Sequence, residues 1–412
     1  MFRGNLEHSG VYQTAGVTHS PKVKWKFYTN GAVNSTPAVA NDAVYVGSAD
    51  GGLYAVARSS GTLRWRFKTG SRVASSPAVA DGIVYFASYD GNFYAVNTAD
   101  GKLAWKFKTG GERRFEGTHL HGSQPVTELM PDPFDVYLSS PVVWHNAVYF
   151  GSSDGNVYAL DAKSGALVWK FKTGDIVHAS PAIADGTVFI GSWDSYMYAL
   201  DATSGTEKWR FKTGDDPDIH NQVGIASSAA IANGTVYFGC RDSHLYALDE
   251  QSGRKKWAID MHGSWVIASP AVRDGKVYFA TSDSGLFEQV DAHDGAVDFS
   301  VKFHGWPMFS SPAIAGSMAY IGSWAGTLTA IDLVGQKPAW TFATDAAKRF
   351  GPALTKTDGS PNYDIAYASD FYDDTVAGFV RMMTVGAILS SPVVADGVIY
   401  VGSTDGNLYA LD

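Results

Sequence analysis

The side chains best suited to chemistry lie in or beside three stretches of irregular sequence, which are 111–137, 215–225 and 343–388. Histidine titrates nearest to neutral pH, so His178 and His220 are predicted to form an acid–base pair. Tyr137 and Arg241 are predicted to complete this catalytic set, which suits elimination or hydrolysis without a cofactor. Two alternatives stay open: each histidine can hydrogen-bond a neighbouring carbonyl, and Arg241 can pair with the aspartate that follows it.

A second set of side chains is suited to holding a small organic ligand. A tryptophan ring is costly to expose unless it contacts something, and four tryptophans outside the repeated motif are predicted to share one face. Stacking rings beside imidazole and amide groups suit a sugar or an aromatic acid. The alternative for Trp265 and Trp306 is that they fill the channel beneath the long loops. The predicted ligand-binding residues are His119, His121, Gln124, Asn221, Trp193, Trp265, Trp306, Trp324 and Tyr89.

Two of these histidines could also bind a metal ion. His119 and His121 are two residues apart, so in an extended segment they lie on one side of the chain. Asp132 or His220 could then supply a further ligand. Packing or capping within the loop is the favoured interpretation, and no metal site is predicted.

The elements that must position these residues repeat about every forty residues. Each unit has three short apolar runs and a fourth run in which apolar and basic residues alternate, as in Ala166–Phe171. Turn dipeptides such as Asp185-Gly186 separate the runs and favour type I′ hairpins. A Ser-Pro or Thr-Pro pair, replaced by Ser-Ala in the fifth unit, marks each unit at Pro37, Pro77, Pro141, Pro181, Ala229, Pro270, Pro312 and Pro392.

Four antiparallel strands in a unit of this length are typical of one β-propeller blade. The last unit, Ser390–Asp412, ends after its third strand, and the matching fourth strand, Val23–Phe27, lies near the N-terminus. The sequence therefore predicts an all-β fold, a single eight-bladed propeller over 1–412 whose last blade is closed by an N-terminal strand. An N-terminal segment, 1–21, precedes this closing strand, 22–28, and all three insertions are predicted to lie on one face.

The repeat resembles a known family. Its segments ALDAKSGALVW, at Ala159–Trp169, and ALDATSGTEKW, at Ala199–Trp209, are similar to the tryptophan-docking motif of the pyrroloquinoline quinone (PQQ)-like propeller repeat family. The resemblance extends over nearly the whole chain. In that family each motif tryptophan stacks between neighbouring blades, which implies a structural role here for Trp25, Trp65, Trp105, Trp169, Trp209, Trp257 and Trp340.

The resemblance implies an extracytoplasmic protein and leaves three functions to compare. The preferred one is a propeller that binds a small organic ligand at the mouth carrying the insertions. The second is a protein-interaction scaffold resembling the outer-membrane assembly lipoproteins of the family. The third is a PQQ- and calcium-dependent alcohol dehydrogenase, a class that often has a vicinal disulfide. The single cysteine, Cys240, cannot form that pair, so PQQ with calcium is disfavoured and no cofactor is predicted.

Composition excludes other classes of protein. The net charge of -9 argues against a nucleic-acid binder, which needs a basic face. No apolar run approaches the ~20 residues that span a membrane. The opening residues MFRGNLEHSG show no signal peptide, so the predicted periplasmic or secreted location requires one that was removed or left out. We expect a monomer whose partner is a small molecule, with a protein partner as the alternative.

Overall fold

Eight sheets, each built on four antiparallel strands, are arranged as the blades of one propeller, which confirms the predicted fold. The computed structural model describes residues 2–214 and 224–412. In blade 3, the second and third strands are almost wholly buried, whereas the fourth, Leu167–Lys172, is largely exposed. The burial pattern follows from the sequence, because the inner runs are apolar and the outer run carries lysines.

The blades are numbered along the chain, and their strands are given from the channel outward. Blades 1 to 4 consist of Ala38–Ala40, Ala43–Gly47, Gly52–Ala57 and Leu63–Lys68; Ala78–Ala80, Ile83–Ser88, Asn92–Asn97 and Leu103–Lys108; Val142–Trp144, Ala147–Gly151, Asn156–Asp161 and Leu167–Lys172; Ala182–Ala184, Thr187–Gly191, Tyr196–Asp201 and Glu207–Lys212. Blades 5 to 8 consist of Ala230–Ala232, Thr235–Gly239, His244–Asp249 and Lys255–Asp260; Ala271–Arg273, Lys276–Ala280, Leu286–Asp291 and Val297–Lys302; Ala313–Ala315, Met318–Gly322, Thr327–Asp332 and Lys337–Ala343; Val393–Ala395, Val398–Gly402, Asn407–Leu411 and Val23–Tyr28.

The outer strand of blade 8 comes from the N-terminal part of the chain, as predicted. It pairs antiparallel with the last strand of the chain, with Trp25 opposite Ala410. Backbone hydrogen bonds between Lys22 and Asp412 run in both directions, at 2.8 and 3.0 Å. The ring of blades is therefore closed by hydrogen bonds between distant parts of the sequence.

Two sets of hydrogen bonds join neighbouring blades. The indole N–H of Trp169 donates to the carbonyl of Ala202 in the next blade, at 2.9 Å, and five further tryptophans make equivalent bonds. Trp340 of blade 7 donates instead to the carbonyl of Val17, in the N-terminal segment that leads into blade 8. A serine or threonine precedes the marker residue of each blade, which is Pro37 in blade 1. Around the channel, the backbone amide of this serine or threonine donates to the side-chain hydroxyl of the equivalent residue in the next blade. This second set returns to its start where the Ser391 amide donates to the Thr36 hydroxyl, at 3.0 Å.

The N-terminal segment closes the end of the channel away from the insertions. Its carbonyls accept hydrogen bonds from the inner strands of four successive blades, and they belong to Leu6, Glu7, Ser9 and Gly10. A short strand, Val11–Tyr12, then pairs parallel to the inner strand of blade 7. Arg3 is buried and donates to the carbonyls of Pro270 and Pro312, at 2.8 and 2.5 Å.

The insertions contain secondary structure that the sequence analysis did not predict. The first holds a two-stranded sheet, Glu116–Gly117 with Met130–Pro131, and a 3₁₀ turn at Leu120–Gly122. The third is mainly helical, with α1 at Asp345–Leu354, α2 at Tyr363–Ala366 and α3 at Tyr372–Met383. None of the helices in residues 2–214 and 224–412 is both long and apolar enough to cross a membrane.

Local sequence explains where these helices begin. The Thr344 hydroxyl caps α1 by accepting a hydrogen bond from the Ala347 amide. Asp373 and Asp374 lie in the first turn of α3. There the carboxylates interact favourably with the positive end of the helix dipole.

Candidate functional site

The first and third insertions pack against each other over the channel mouth. The Gln124 amide donates to the carbonyl of Asp370, at 2.7 Å, and the Tyr372 amide donates to the carbonyl of Gln124, at 2.9 Å. The hydroxyls of Ser123 and Thr375 lie 3.1 Å apart. These contacts join segments far apart in sequence into one lid over the mouth.

Between this lid and the loops of blades 6 and 7 lies a cavity that we call the aromatic pocket. Its volume is about 690 Å³, within the range of pockets that bind small organic molecules. It contains four of the predicted site residues, His119, His121, Trp265 and Trp324. Its aromatic walls are Phe134, Trp265, Phe309, Trp324, Tyr363 and Tyr367, and its other polar side chains include Asp283, Ser369, Asp370 and Thr375.

The aromatic pocket is acidic. Asp283 and Asp370 line it, and no lysine or arginine does so in the part of the chain that the structure describes. Enclosure by the pocket walls raises the pKa of Asp283 above its usual value. Burial raises the pKa of both Tyr363 and Tyr367, and the nearby charge of Asp283 adds to that rise. The pocket therefore suits a neutral or cationic ligand with hydrogen-bond donors.

Behind one wall of the pocket lies a buried charged network. The Arg241 guanidinium contacts the Asp132 carboxylate at 2.5 Å, and His121 Nε2 lies 3.1 Å from the other carboxylate oxygen. Arg241 also lies against the rings of Trp193, at 4.7 Å, and Trp265, at 4.0 Å. The network fixes the first insertion and the Trp265 wall relative to blade 5.

The pKa values within this network follow from burial and from the charges nearby. Burial alone would raise the pKa of Asp132, but Arg241 and His121 hold it well below its usual range. Burial lowers the pKa of His121 despite its contact with that carboxylate. Near neutral pH the network therefore contains an ionised Asp132 and a neutral His121. Arg241, predicted as catalytic, is placed to position Trp265.

His178, another residue predicted as catalytic, belongs to a series of hydrogen-bonded buried side chains. Its Nδ1 is 2.7 Å from Asp135, and its Nε2 is 2.7 Å from the Ser153 hydroxyl. That hydroxyl donates its proton to Glu112, at 2.6 Å, so His178 Nε2 must be the donor to Ser153. Both ring nitrogens are then protonated. The order of residues matches a Ser-His-Asp triad, but an imidazolium has no lone pair with which to act as a base.

The His178 chain predicts how stability depends on pH. Burial alone would lower the pKa of His178, but Asp135 and Glu112 raise it above the usual value of 6.5. A raised folded pKa stabilises the protein fully below about pH 6.5, and this contribution is lost as the pH rises through the folded pKa. We expect the free energy of unfolding to fall with a slope of up to about 1.4 kcal/mol per pH unit above pH 6.5.

Urea unfolding between pH 6 and 9 measures this slope through tryptophan fluorescence. The His178→Gln variant should be less stable at pH 6.5 and should lose the extra slope, since its side chain does not titrate. Comparison of the two profiles removes the contributions of other groups, including His121. Parallel profiles for the two proteins would contradict a charged His178.

Tyr137, also predicted as catalytic, fills the axis of the channel. Its hydroxyl lies 2.9 Å from the carbonyl oxygen of Leu389 and 3.3 Å from that of Phe309, and burial raises its pKa. A cavity of only about 40 Å³ is left between Tyr137 and Phe2, enough for about one or two waters.

The space left on the channel axis does not fit a tricyclic quinone. A tricyclic cofactor needs a cavity of several hundred Å³. The described residues also contain no group of three or more His, Cys, Asp or Glu side chains placed to hold a metal ion.

The remaining predicted residues lie around the lid. Trp306 donates from Nε1 to the carbonyl of Gly359, at 2.9 Å, which fastens the third insertion to blade 7. Trp193 stacks on Phe115, with 4.4 Å between ring centroids. Tyr89 lies on the other side of the mouth, in blade 2. Two predicted residues, His220 and Asn221, lie outside the described residues, so the acid–base pair stays a prediction.

Asp283 is a pocket residue that the sequence analysis did not select. It lies between the second and third strands of blade 6, where most blades also have an aspartate. In blade 3 the equivalent Asp154 accepts a hydrogen bond from Tyr158, at 2.6 Å. The strand position of that tyrosine is occupied in blade 6 by Glu288. The sequence distinguishes Asp283 from its counterparts through this replacement, because Asp283 then has no tyrosine hydroxyl at that strand position to donate a hydrogen bond to it.

Comparison with known proteins gives a family and a fold. The family model described as "Outer membrane protein assembly factor BamB" matches residues 17–132, 136–341 and 243–412. No curated protein matches the sequence significantly.

Three solved structures illustrate the likeness. BamB from Moraxella catarrhalis is 16% identical, with 95% of this chain and 97% of that chain covered and a TM-score of 0.67. A europium-containing methanol dehydrogenase is 14% identical, with coverage of 100% and 97% and a TM-score of 0.73. Quinohemoprotein alcohol dehydrogenase from Comamonas testosteroni is 13% identical, with coverage of 99% and 79% and a TM-score of 0.69. At these identities the likeness shows the fold alone, whereas the family match spans nearly the whole sequence, and the chain therefore belongs to the PQQ-like propeller repeat family.

Proposed function

We propose that this protein is an extracytoplasmic propeller that binds a sugar in the aromatic pocket. The observation that carries the proposal is Asp283, a carboxylate without the tyrosine partner of its counterparts, in a cavity walled by aromatic rings. Flat rings such as those of Trp265 and Tyr367 suit the apolar C–H faces of a sugar. Carboxylate and imidazole groups can then bind its hydroxyls.

Charge favours the sugar over an aromatic acid, the other predicted class of ligand, in this pocket. A carboxylate ligand would be repelled by Asp283 and Asp370, and no described cation lines the pocket to offset that repulsion. A neutral polyhydroxylated ligand instead donates hydrogen bonds to the same carboxylates, and such charge-assisted bonds are the stronger kind.

Calorimetric titration with a panel of neutral mono-, di- and oligosaccharides tests the proposal. We expect one-to-one binding of at least one class. We expect Asp283→Ala to weaken it about tenfold or more, because a hydrogen bond to a charged group is worth about 1.5–3 kcal/mol. Asp294→Ala, at an exposed turn of the same blade, is the matched control and should bind normally. No heat with any sugar, or equal affinities for the two variants, would count against the proposal.

A second candidate function is docking of a protein partner on the lid. Several large apolar side chains of the insertions are exposed, namely Leu129 (65%), Ile365 (54%), Phe371 (60%) and Val380 (58%). Exposed apolar side chains grouped on one structural unit are typical of interaction surfaces. The family model carries the name of an assembly factor, which also supports this candidate. A Phe371→Ser/Val380→Ser variant that loses a stoichiometric partner while retaining sugar binding would establish docking as a separate function.

A further inference from the structure

A second cavity lies on the opposite side of the mouth, where blades 1, 2 and 8 meet the first insertion and α3. Its volume is about 340 Å³, and most of its wall is apolar, formed by Val73, Ala74, Val136, Phe379, Met383 and Leu389. The Phe134 and Phe379 rings, whose centroids are 5.3 Å apart, separate it from the aromatic pocket. We call it the arginine pocket, because its charged lining residues are Arg72 and Arg114.

The positive charges of Arg72 and Arg114 both affect Tyr89. The Arg72 guanidinium lies 3.8 Å from the centroid of the Tyr89 ring. Burial and the negative charge of Asp135 raise the pKa of Tyr89, and the positive charges of Arg72 and Arg114 oppose that rise. Two cations therefore border one apolar cavity.

Neither arginine has a carboxylate partner. Within residues 2–214 and 224–412, no ion pair joins Arg72 or Arg114 to an aspartate or glutamate. By contrast, the neighbouring Arg113 contacts Asp175 at 3.5 Å and Glu116 at 4.0 Å. A guanidinium group in a partly buried apolar site is unfavourable unless an anion neutralises it.

Two buried polar atoms in the lining also have no hydrogen-bond partner in the described part of the chain. They are Nε of Arg114 and Oδ1 of Asn34. Buried polar atoms are almost always hydrogen-bonded in folded proteins, so each of these requires an explanation. A ligand whose polar end lies among Arg72, Arg114 and Asn34 would supply the missing partners.

We propose that the arginine pocket binds an organic acid with an apolar body. Arg72 and Arg114 would hold its carboxylate, since guanidinium groups bind carboxylates in a planar, two-bond geometry. The apolar walls would bury the hydrocarbon or aromatic part of the molecule. This site is independent of the sugar site, and its cations complement the acidic aromatic pocket on the other side of Phe134.

Calorimetric titration with octanoate, 1-octanol and inorganic phosphate tests each part of the proposal. We expect octanoate to bind one-to-one and 1-octanol to bind at least tenfold more weakly, because the alcohol lacks the charge. Phosphate should bind more weakly than octanoate, because it lacks the apolar body. Octanoate binding no tighter than that of the alcohol, or tighter binding of phosphate than of octanoate, would overturn the proposal.

Matched arginine variants locate the site. Arg114→Gln should weaken octanoate binding about tenfold or more, whereas Arg113→Gln, one residue away and exposed, should not. Arg72→Gln provides a second test in case Arg114→Gln does not fold, as judged by its circular dichroism and melting temperature. All folded variants should bind a sugar as the unmodified protein does. Equal octanoate affinities for Arg113→Gln and a folded Arg114→Gln or Arg72→Gln would place the acid elsewhere and overturn the assignment.

Discussion

Replacing Asp132 with asparagine is expected to lower the free energy of unfolding by about 3–5 kcal/mol, as is typical when one partner of a buried ion pair is removed. Asp132 is fully buried and contacts both Arg241 and His121. The amide would keep the shape of the side chain but remove the negative charge. The Arg241 guanidinium would then lie between the rings of Trp193 and Trp265 without that carboxylate charge.

Urea unfolding at pH 7 measures the effect. Glu128→Gln, in an exposed part of the same insertion, is the control and should change stability by less than about 0.5 kcal/mol. Because the folded pKa of Asp132 is depressed, its contribution is present above the unfolded pKa of about 4 and is lost as the pH falls. The difference between the unmodified protein and Asp132→Asn should therefore shrink in acid. Equal midpoints for the two variants at pH 7 would show that the network does not stabilise the lid.

Replacing Trp169 with alanine is expected to lower the free energy of unfolding by a similar amount, about 3–5 kcal/mol. The ring is 8% exposed, and its N–H donates to Ala202 of the next blade. It also covers Gly205, where an added Cβ would lie 2.6 Å from the ring. The substitution therefore removes an aromatic core residue and a bond between blades at once.

A matched tryptophan in the same blade provides the control. Trp144 lies at the end of the inner strand, is only half-buried and packs edge-on against His145, with 4.0 Å between the ring centroids. In the same urea titration, Trp144→Ala should therefore lower the free energy of unfolding by less than half as much as Trp169→Ala. Gly205→Ala should also destabilise, because the glycine has a φ of +72° and no space for a Cβ. If Trp144→Ala were as costly as Trp169→Ala, bonding between blades would not explain the role of Trp169.

The fold could be predicted from the sequence because the repeat carries the same signals many times. Each blade repeats its turn residues and apolar runs, so a weak pattern in one unit is supported by the others. Even the pairing of Val23–Tyr28 with Asn407–Leu411 follows from counting strands. The helices α1 and α3 could not be inferred in this way, because the third insertion occurs once and has no counterpart in another blade.

The candidate site could be predicted only in part. Trp265 and Trp324 are predictable from the sequence because they interrupt the repeat, and both line the aromatic pocket. Tyr367 is not predictable, because its position depends on how the third insertion folds back over the mouth. Arg72 lies in blade 2, which has no inserted residues to draw attention to it. Five residues before each Pro37-type marker, however, Arg72 is the one charged side chain among the eight units.

The pairing that completes blade 8 also has a consequence for the order in which the protein folds. Val23–Tyr28 leaves the ribosome before the strands of blades 1 to 7, but its partner, Asn407–Leu411, leaves after them. Loop closure over so long a separation in sequence is entropically costly, and such long-range contacts form slowly. Val23–Tyr28 therefore keeps an unpaired edge while the other seven blades form. During this interval the nascent chain is most exposed to mispairing with other chains.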